Sequence, residues 1–388
     1  MNSDQRLKYV EGLRGIAVLL VVLDHVFRST LVFWPYAGWK ATARDGLNWV
    51  SNGRASLAFF IVLSGYLLMR PVLENDGKVR GGLAGFLGRR GGRLLPGYFA
   101  AFAGSILAIR WWPAMQTRLS VEWQDALPVV GPGSGKMIFS HLLLVHNFSF
   151  RWAFKGDPPV WTVATQGQIY LLMPLLLLPI WRRIGMSGTV VAALVLGLGT
   201  FLATGRGHAA APWFLGLFAF GMAAAQRERT HRGYERQFYG WLAAILFAAY
   251  AGVTLAFSFG CYRFITIDGW EGVGAHWFFD CWIGLATACL LIFASSAPQH
   301  WLMRWLCQRW LVGIGAISYS VYLIHDPILA MMKIGLDRGG LGQFEQFGCY
   351  LAVGVPILLG AGWAFHQLFE KPFRERTLAP LSTRSSVG

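Results

Sequence analysis

The sequence predicts an all-α, polytopic membrane protein with about ten transmembrane helices. Two features of composition and one of pattern point there. Of the 388 residues, 55% are apolar or aromatic and only 14% are charged, where an ordinary soluble domain carries about 25% charge. The mean hydropathy is +0.46, and 47 Gly with 18 Trp suit helices that lie in lipid and anchor at its interfaces. The pattern is a series of stretches of about 20 mostly apolar residues, the length that crosses about 30 Å of hydrocarbon. The charge deficit excludes a disordered or fibrous chain and argues against a soluble two-domain one.

Read with that ruler, spans fall near residues 13–33, 50–69, 94–112, 159–181, 188–205, 210–226, 238–259, 274–297, 311–332 and 346–369. The first is a retained anchor rather than a cleaved signal, because its apolar run is long and the small residues Ala41-Thr42-Ala43 lie well past its end. The second, FFIVLSGYLL, buries Ser64, and most such serines bond back to their own helix. On the long loop Trp112 to Pro158 the apolar stretch Met137 to Phe148 is too short to span, so it reads as a re-entrant or interfacial helix. The fourth span opens with PPVWTVATQGQIYLL, the ninth contains ISYSVYLIHDPIL, and the tenth runs into FEKPFRER. Residues 1–376 are expected to form one membrane domain, and residues 377–388 a short cytoplasmic tail.

The balance of 34 Lys and Arg over 19 Asp and Glu gives a net charge of +15. In a soluble protein that would suggest nucleic acid. Here basic residues hold loops on the cytoplasmic side, and the larger share of them falls there if both termini are cytoplasmic. Cys261, Cys281, Cys289, Cys307 and Cys349 stand far apart, so they indicate neither a zinc site nor a disulfide framework. No Gly-x-Ser-x-Gly elbow, HExxH or Walker loop is present, which leaves serine hydrolysis, zinc proteolysis and nucleotide hydrolysis without support.

Ionisable groups inside a span are costly and by default mark function. In GLRGIAVLLVVLDHVF, Arg14 and His25 are eleven residues apart, about three helical turns and roughly 16 Å of rise, so they share one face. Arg14 reads as an anion clamp at the cytoplasmic mouth or as a positive-inside anchor. His25 reads as a titratable base at depth or as an interhelical hydrogen-bond partner. Asp24 points about 100° away from His25 and faces another helix. Arg90 and Arg93 in GRRGGRLLP align on one helical face. Two guanidiniums aimed together suit phosphate oxygens, although any basic loop also serves as a stop signal. His325 lies at a depth similar to that of His25, followed by Asp326 and Pro327. They form either a second functional point or a polar patch that locks helices. Gln166, Gln168 and Tyr170 lie on the outer third of the fourth span, where amides bind a sugar hydroxyl or join helices.

Five of these stretches, in order, resemble the integral-membrane acyltransferase 3 family: GLRGIAVLLVVLDH, FFIVLSGYLL, GRRGGRLLP, PVWTVATQGQIYLLMPLL, and ISYSVYLIHDPI with the closing FEKPFRER. They cover residues 12 to 376, nearly the whole chain. The resemblance implies a ten-helix, multi-pass protein of the cell membrane, a bacterial inner membrane, with both termini cytoplasmic. It implies transfer of an acyl group, commonly acetyl, from cytoplasmic acyl-CoA to a hydroxyl of a sugar, lipid-linked glycan, exopolysaccharide or antibiotic. The positions carried over are Arg14, His25, Arg90, Arg93 and His325. One position departs: where the family usually has Glu four residues before the Tyr, this chain has Gln166. An amide cannot accept a proton, so Asp24 and Asp326 become the candidates to replace that carboxylate.

The expected mechanism places the phosphates of acyl-CoA on Arg14, Arg90 and Arg93, with neutral His25 as general base on the acceptor hydroxyl. His325, Asp24 and Asp326 are the remaining catalytic candidates. Gln166, Tyr170 and His146 are candidates for binding the acceptor, with His141 and Trp152 on the same outer loop. The expected partners are acyl-CoA as donor substrate, a glycan acceptor and the bilayer, with neither metal nor nucleic acid. Two other classes remain open. One is a proton-coupled transporter or glycan exporter, since intramembrane His and Arg fit it too. The other is a degenerate scaffolding member, which Gln166 makes credible.

Overall fold

Among the described residues the regular structure is entirely helical, as the apolar runs predict. The structure, a computed structural model, describes residues 3–32, 36–111, 134–204, 210–230, 233–260, 276–295 and 297–373. In chain order the α-helices are α1 (Ser3–Thr30), α2 (Trp39–Val50), α3 (Gly53–Leu73), α4 (Gly82–Trp111), α5 (Ser134–Leu142), α6 (Phe150–Ala153), α7 (Trp161–Leu172), α8 (Leu178–Thr204) and α9 (Phe214–Thr230). They continue with α10 (Gly233–Gly260), α11 (His276–Ala294), α12 (Trp301–Leu306), α13 (Arg309–Ala316), α14 (Ser318–Arg338), α15 (Gln343–Cys349) and α16 (Val355–Phe365). Three π-helical turns, Met173–Leu177, Tyr350–Gly354 and His366–Glu370, interrupt or extend them. The tail, residues 377–388, and Cys261 lie outside the described residues.

By length and composition, six helical stretches are able to cross a membrane, or seven if the bent pair Arg309–Ala316 and Ser318–Arg338 is one span. The ten-span reading exceeds that count for identifiable reasons. Arg14, Asp24 and Arg28 interrupt the apolar run of α1. Helix α9 is only 17 residues long. Pro158–Ala203 is one stretch of 46 residues, but Gly185 at φ 72° breaks α8 and separates the predicted fourth and fifth spans. The outside is apolar: Leu202, Trp241, Ile245, Ile357 and Leu368 are all more exposed than buried, an arrangement that water would penalise and lipid does not.

The chain divides into two compact units, Met1–Lys78 with Leu175–Ala316, and Val79–Pro174 with Ile317–Gly388. In the first, α3 packs against α1, α9 and α11. Lipid tails are as apolar as Leu, so helices here gain from close packing rather than from leaving water. Gly65 and Gly221 permit it: a Cβ at either would overlap a backbone carbonyl of the facing helix, that of Phe218 or that of Val62. Part of the basic excess has a local duty, because Arg229 donates to the Leu73 carbonyl at the end of α3 and Arg182 to the Gly77 carbonyl in the turn that follows, at 2.7 Å.

In the second unit α4 packs against α7, α14 and the π turn His366–Glu370, and α14 packs against α16. The segment 134–160 is tied down by its polar groups. Asn147 and Gln168 exchange amide hydrogen bonds at 3.3 and 2.8 Å, Asn147 also donates to Thr165, and Gln168 to the Leu144 carbonyl. Gln168 therefore joins backbone elements. Helix α5 spans nine residues, too few to cross a bilayer.

Candidate active site

The site residues expected from sequence fall into two groups, one in each unit. Arg14, Asp24 and His25 belong to the first, carried on the continuous helix α1. Arg14 is buried, and its Nη1 donates to both oxygens of Glu11 at 3.1 and 3.0 Å. The anticipated clamp is thus already neutralised by a residue one turn back. Asp24 accepts from Arg28 Nε at 2.9 Å and faces another helix, as expected: a Cβ on Gly53, at the start of α3, would stand 2.7 Å from Asp24 Cβ. The Asp24 carboxylate is engaged one turn along α1, while His25 is half-buried on its own face.

The same unit holds ionic contacts that the sequence does not announce. Asp280, 2% exposed, accepts from Arg54 Nη2 and from Trp213 Nε1, both at 2.8 Å. Tyr66 donates to Glu228 at 2.6 Å, and Arg70 lies 3.9 Å from the same carboxylate.

The second unit carries Arg90, Arg93, His146, Gln166, Tyr170, His325 and Asp326. The glycines of GRRGGRLLP do not break the chain, and α4 runs through them, so the two arginines stand on one face as the spacing predicts. Two like charges at i, i+3 repel each other. Among the described residues neither guanidinium meets a carboxylate within 4.0 Å, and the buried Nε of Arg90 has no hydrogen-bond partner. A buried donor left unmade costs about 1–3 kcal/mol, so this pair is held for something other than stability. Tyr170 lies near Arg90, and Gln166 Nε2 donates to the Tyr170 hydroxyl at 2.5 Å. Gln166 thus orients Tyr170 but adds no charge.

A carboxylate does stand in this neighbourhood, and it is neither Asp24 nor Asp326. Glu370, 2% exposed, accepts at Oε2 from Ser320 Oγ and from His366 Nδ1, both at 2.9 Å, and Arg93 lies near enough for its charge to act on it. The order is Ser to Glu to His, with the carboxylate in the middle. No imidazole contacts the hydroxyl, so this is not a serine nucleophile. Glu370 was missed from sequence, although an acid and a histidine four residues apart in an apolar span are the signal to look for.

His325 is fully buried, and its Nδ1 lies 2.6 Å from the Tyr322 carbonyl of its own helix. The Tyr322 hydroxyl in turn bonds Thr162 at 2.6 Å and donates to the Pro159 carbonyl at 2.8 Å. Asp326 is buried beside it, and its charge acts on Tyr322 and Tyr350. His146 is also fully buried. Its ring stacks on His141 at 3.8 Å, with Phe102 over His141 at 4.4 Å. Burial, and the neighbouring His141, push His146 down to about 3, and burial pushes His141 down to about 4. Both rings are neutral at pH 7. Among the described residues no group of His, Cys, Asp or Glu is placed to hold a metal ion.

The model of the acyltransferase domain family Acyl_transf_3 matches residues 7–367. The chain belongs to this family. This membrane acyltransferase is 25% identical over 393 residues to a provisionally named membrane-bound transacylase of Komagataeibacter xylinus, covering 98% of this chain and 86% of that one. It is 22% identical over 408 residues to a provisionally named O-acetyltransferase of Staphylococcus aureus, and 22% identical over 413 residues to a provisionally named peptidoglycan O-acetyltransferase of Bacillus subtilis. The alignments cover 98% and 99% of this acyltransferase but only 60% and 58% of those two relatives. No solved structure matches it.

Proposed function

We propose that this acyltransferase moves an acyl group, most simply acetyl, from acyl-CoA to a hydroxyl of a carbohydrate or glycan, in a cell membrane with both termini cytoplasmic. The observation that carries the donor half is the Arg90 and Arg93 pair, two guanidiniums on one helical face with no carboxylate within 4.0 Å among the described residues. Paired guanidiniums bind phosphate oxygens in a fork that a single lysine cannot reproduce, and acyl-CoA brings its polyanionic end with the activated acyl group. The acceptor half rests on kinship with proteins named for O-acetyl transfer, one of them to peptidoglycan.

In this reading neutral His25 takes the proton as the acceptor oxygen attacks the thioester carbonyl. The tetrahedral intermediate then collapses, the C–S bond breaks, and the coenzyme thiolate leaves with the proton returned from His25. Each acyl group moved releases one free thiol. Arg14 joins the donor clamp only by leaving Glu11. His325, bonded to the Tyr322 carbonyl, keeps a supporting role in orienting polar groups.

The test uses detergent-solubilised protein with labelled acetyl-CoA and polysaccharide or glycan acceptors, following both free thiol and acylated product. His25→Ala is expected to lower kcat by about a thousandfold, within the range for loss of a general base, with the protein still inserted and monodisperse. A rate like that of the unaltered protein would sink the assignment. Label that stays on the coenzyme with every acceptor would favour a carrier.

A further inference from the structure

A buried carboxylate that shares a neighbourhood with an arginine normally closes an ion pair, as Asp280 does with Arg54 at 2.8 Å. Glu370 and Arg93 do not. They belong to packed elements, α4 and the π turn His366–Glu370. Gly97, one turn beyond Arg93, draws the elements together: a Cβ there would stand 3.2 Å from Leu323, 3.4 Å from Tyr319 and 3.7 Å from Phe365. Adjacent residues of α14 then bridge the two partners. Tyr319 donates to the Leu94 carbonyl, next to Arg93, at 2.7 Å, and Ser320 donates to Glu370.

Among the described residues the Glu370 carboxylate is bonded through one oxygen only. Ser320 and His366 both bond Oε2, while Oε1 is buried with no hydrogen-bond partner among the described residues. A buried oxygen without a donor is an expense that proteins usually avoid. Swinging the carboxylate toward Arg93 would relieve it, and the two bonds to Oε2 oppose that swing.

We infer that Ser320 and His366 are positioning residues that hold the Glu370 carboxylate back from Arg93, so that Arg93 keeps its donors open for the phosphates of the acyl donor. The inference rests on the donor-clamp reading above. Glu370 lowers the cost of burying the guanidinium through its field, without occupying the N–H groups. The acyl donor then displaces no ion pair when it binds.

The experiment measures KM and kcat for acetyl-CoA in the full-length protein, for Ser320→Ala, His366→Phe, each combined with Glu370→Gln, and Arg93→Ala. Releasing the tether lets the carboxylate capture Arg93. Ser320→Ala and His366→Phe are therefore each expected to raise KM about fivefold with little change in kcat, an effect of the size found between residues of one network. Adding Glu370→Gln removes the competing charge and should return KM most of the way. A plain packing role for the serine or histidine would not be rescued by a further substitution. Unchanged KM in both tether variants, or no rescue by Glu370→Gln, overturns the inference. If Arg93→Ala itself leaves KM unchanged, the donor clamp fails instead.

Discussion

In the first unit four arginines of α1 and α3 meet carboxylates: Arg14 meets Glu11, Arg28 meets Asp24, Arg54 meets Asp280 and Arg70 meets Glu228. In the second, Arg90 and Arg93 sit on one helix face, and neither has such a partner within 4.0 Å among the described residues. The local acid there, Glu370, is bonded to Ser320 and His366 instead. The residue type is the same in the two regions, so the difference lies in what satisfies the guanidinium. A paired buried arginine is part of the scaffold, and removing its partner leaves an uncompensated charge. An unpaired one has stability withheld from it, which is how a binding site differs from a core.

The largest expected effect tests this difference directly. Arg54→Ala strips Asp280, 2% exposed, of its counter-charge, and breaking a buried pair from one side costs about 3–5 kcal/mol. The variant should fail to accumulate or should melt far below the unaltered protein. Arg90→Ala and Arg93→Ala remove no pair. They should leave the melting temperature nearly unchanged while raising KM for acyl-CoA about tenfold to a hundredfold, with a smaller change in KM for the acceptor. Thermal melts and donor titrations on the three variants decide it. The comparison breaks if the second-unit variants melt early with normal donor dependence.

What could be read from the sequence follows the range of the interaction. The spans, the shared face of Arg90 and Arg93 and the shortness of the segment around Met137 depend on local spacing, and helical geometry delivers them. The Arg14 to Glu11 pair was equally local, three residues apart, and could have been anticipated. The break between the fourth and fifth spans is legible from Arg182 and Arg183, but that the chain kinks at Gly185 depends on one positive φ that spacing does not give. The Arg54 to Asp280 and Ser320 to Glu370 contacts join residues 226 and 50 positions apart, and nothing local in either segment predicts the other. Asp24 and Asp326 were the natural candidates to replace the missing acid because they adjoin histidines in the chain. The His366 to Glu370 pair is local and legible, but that Glu370 meets Ser320 and lies near Arg93 emerges only when the elements around α4 are packed.

A second contrast sharpens the first at smaller magnitude. Where the first unit neutralises charge with a partner, the second keeps His141 and His146 uncharged chiefly by burial, with His141 also acting on His146, at about 4 and about 3. Their unfolded-state value is about 6.5. Above that pH both states are neutral and the pair has no pH-dependent effect. As pH falls from about 6.5 toward 4 the unfolded chain takes up protons that the folded one refuses, so stability drops, by roughly 3 kcal/mol per histidine at the limit. Melts of the solubilised protein between pH 7 and 4 should show that decline. His146→Phe, which keeps a ring in the stack, should flatten it. A Phe variant with the same acid sensitivity as the parent would remove these histidines from the account.

The smallest effect concerns the arginine on which the two regions could still converge. Arg14 is bonded to Glu11, which is scaffold behaviour, yet the resemblance assigns it to the donor. The pair is only partly shielded, with the two side chains 10% and 25% exposed, so it is worth less than a fully buried one, up to about 1 kcal/mol. Glu11→Gln keeps an amide oxygen to accept from Arg14 and removes the negative charge. If Arg14 turns to the donor during binding, it no longer has to leave an ion pair, and KM for acyl-CoA should fall about threefold with kcat unchanged. If Arg14 is an anchor, KM stays where it was and only the melting temperature moves. A donor titration on this one variant therefore decides whether Arg14 acts with Arg90 and Arg93 or with the paired arginines of its own unit.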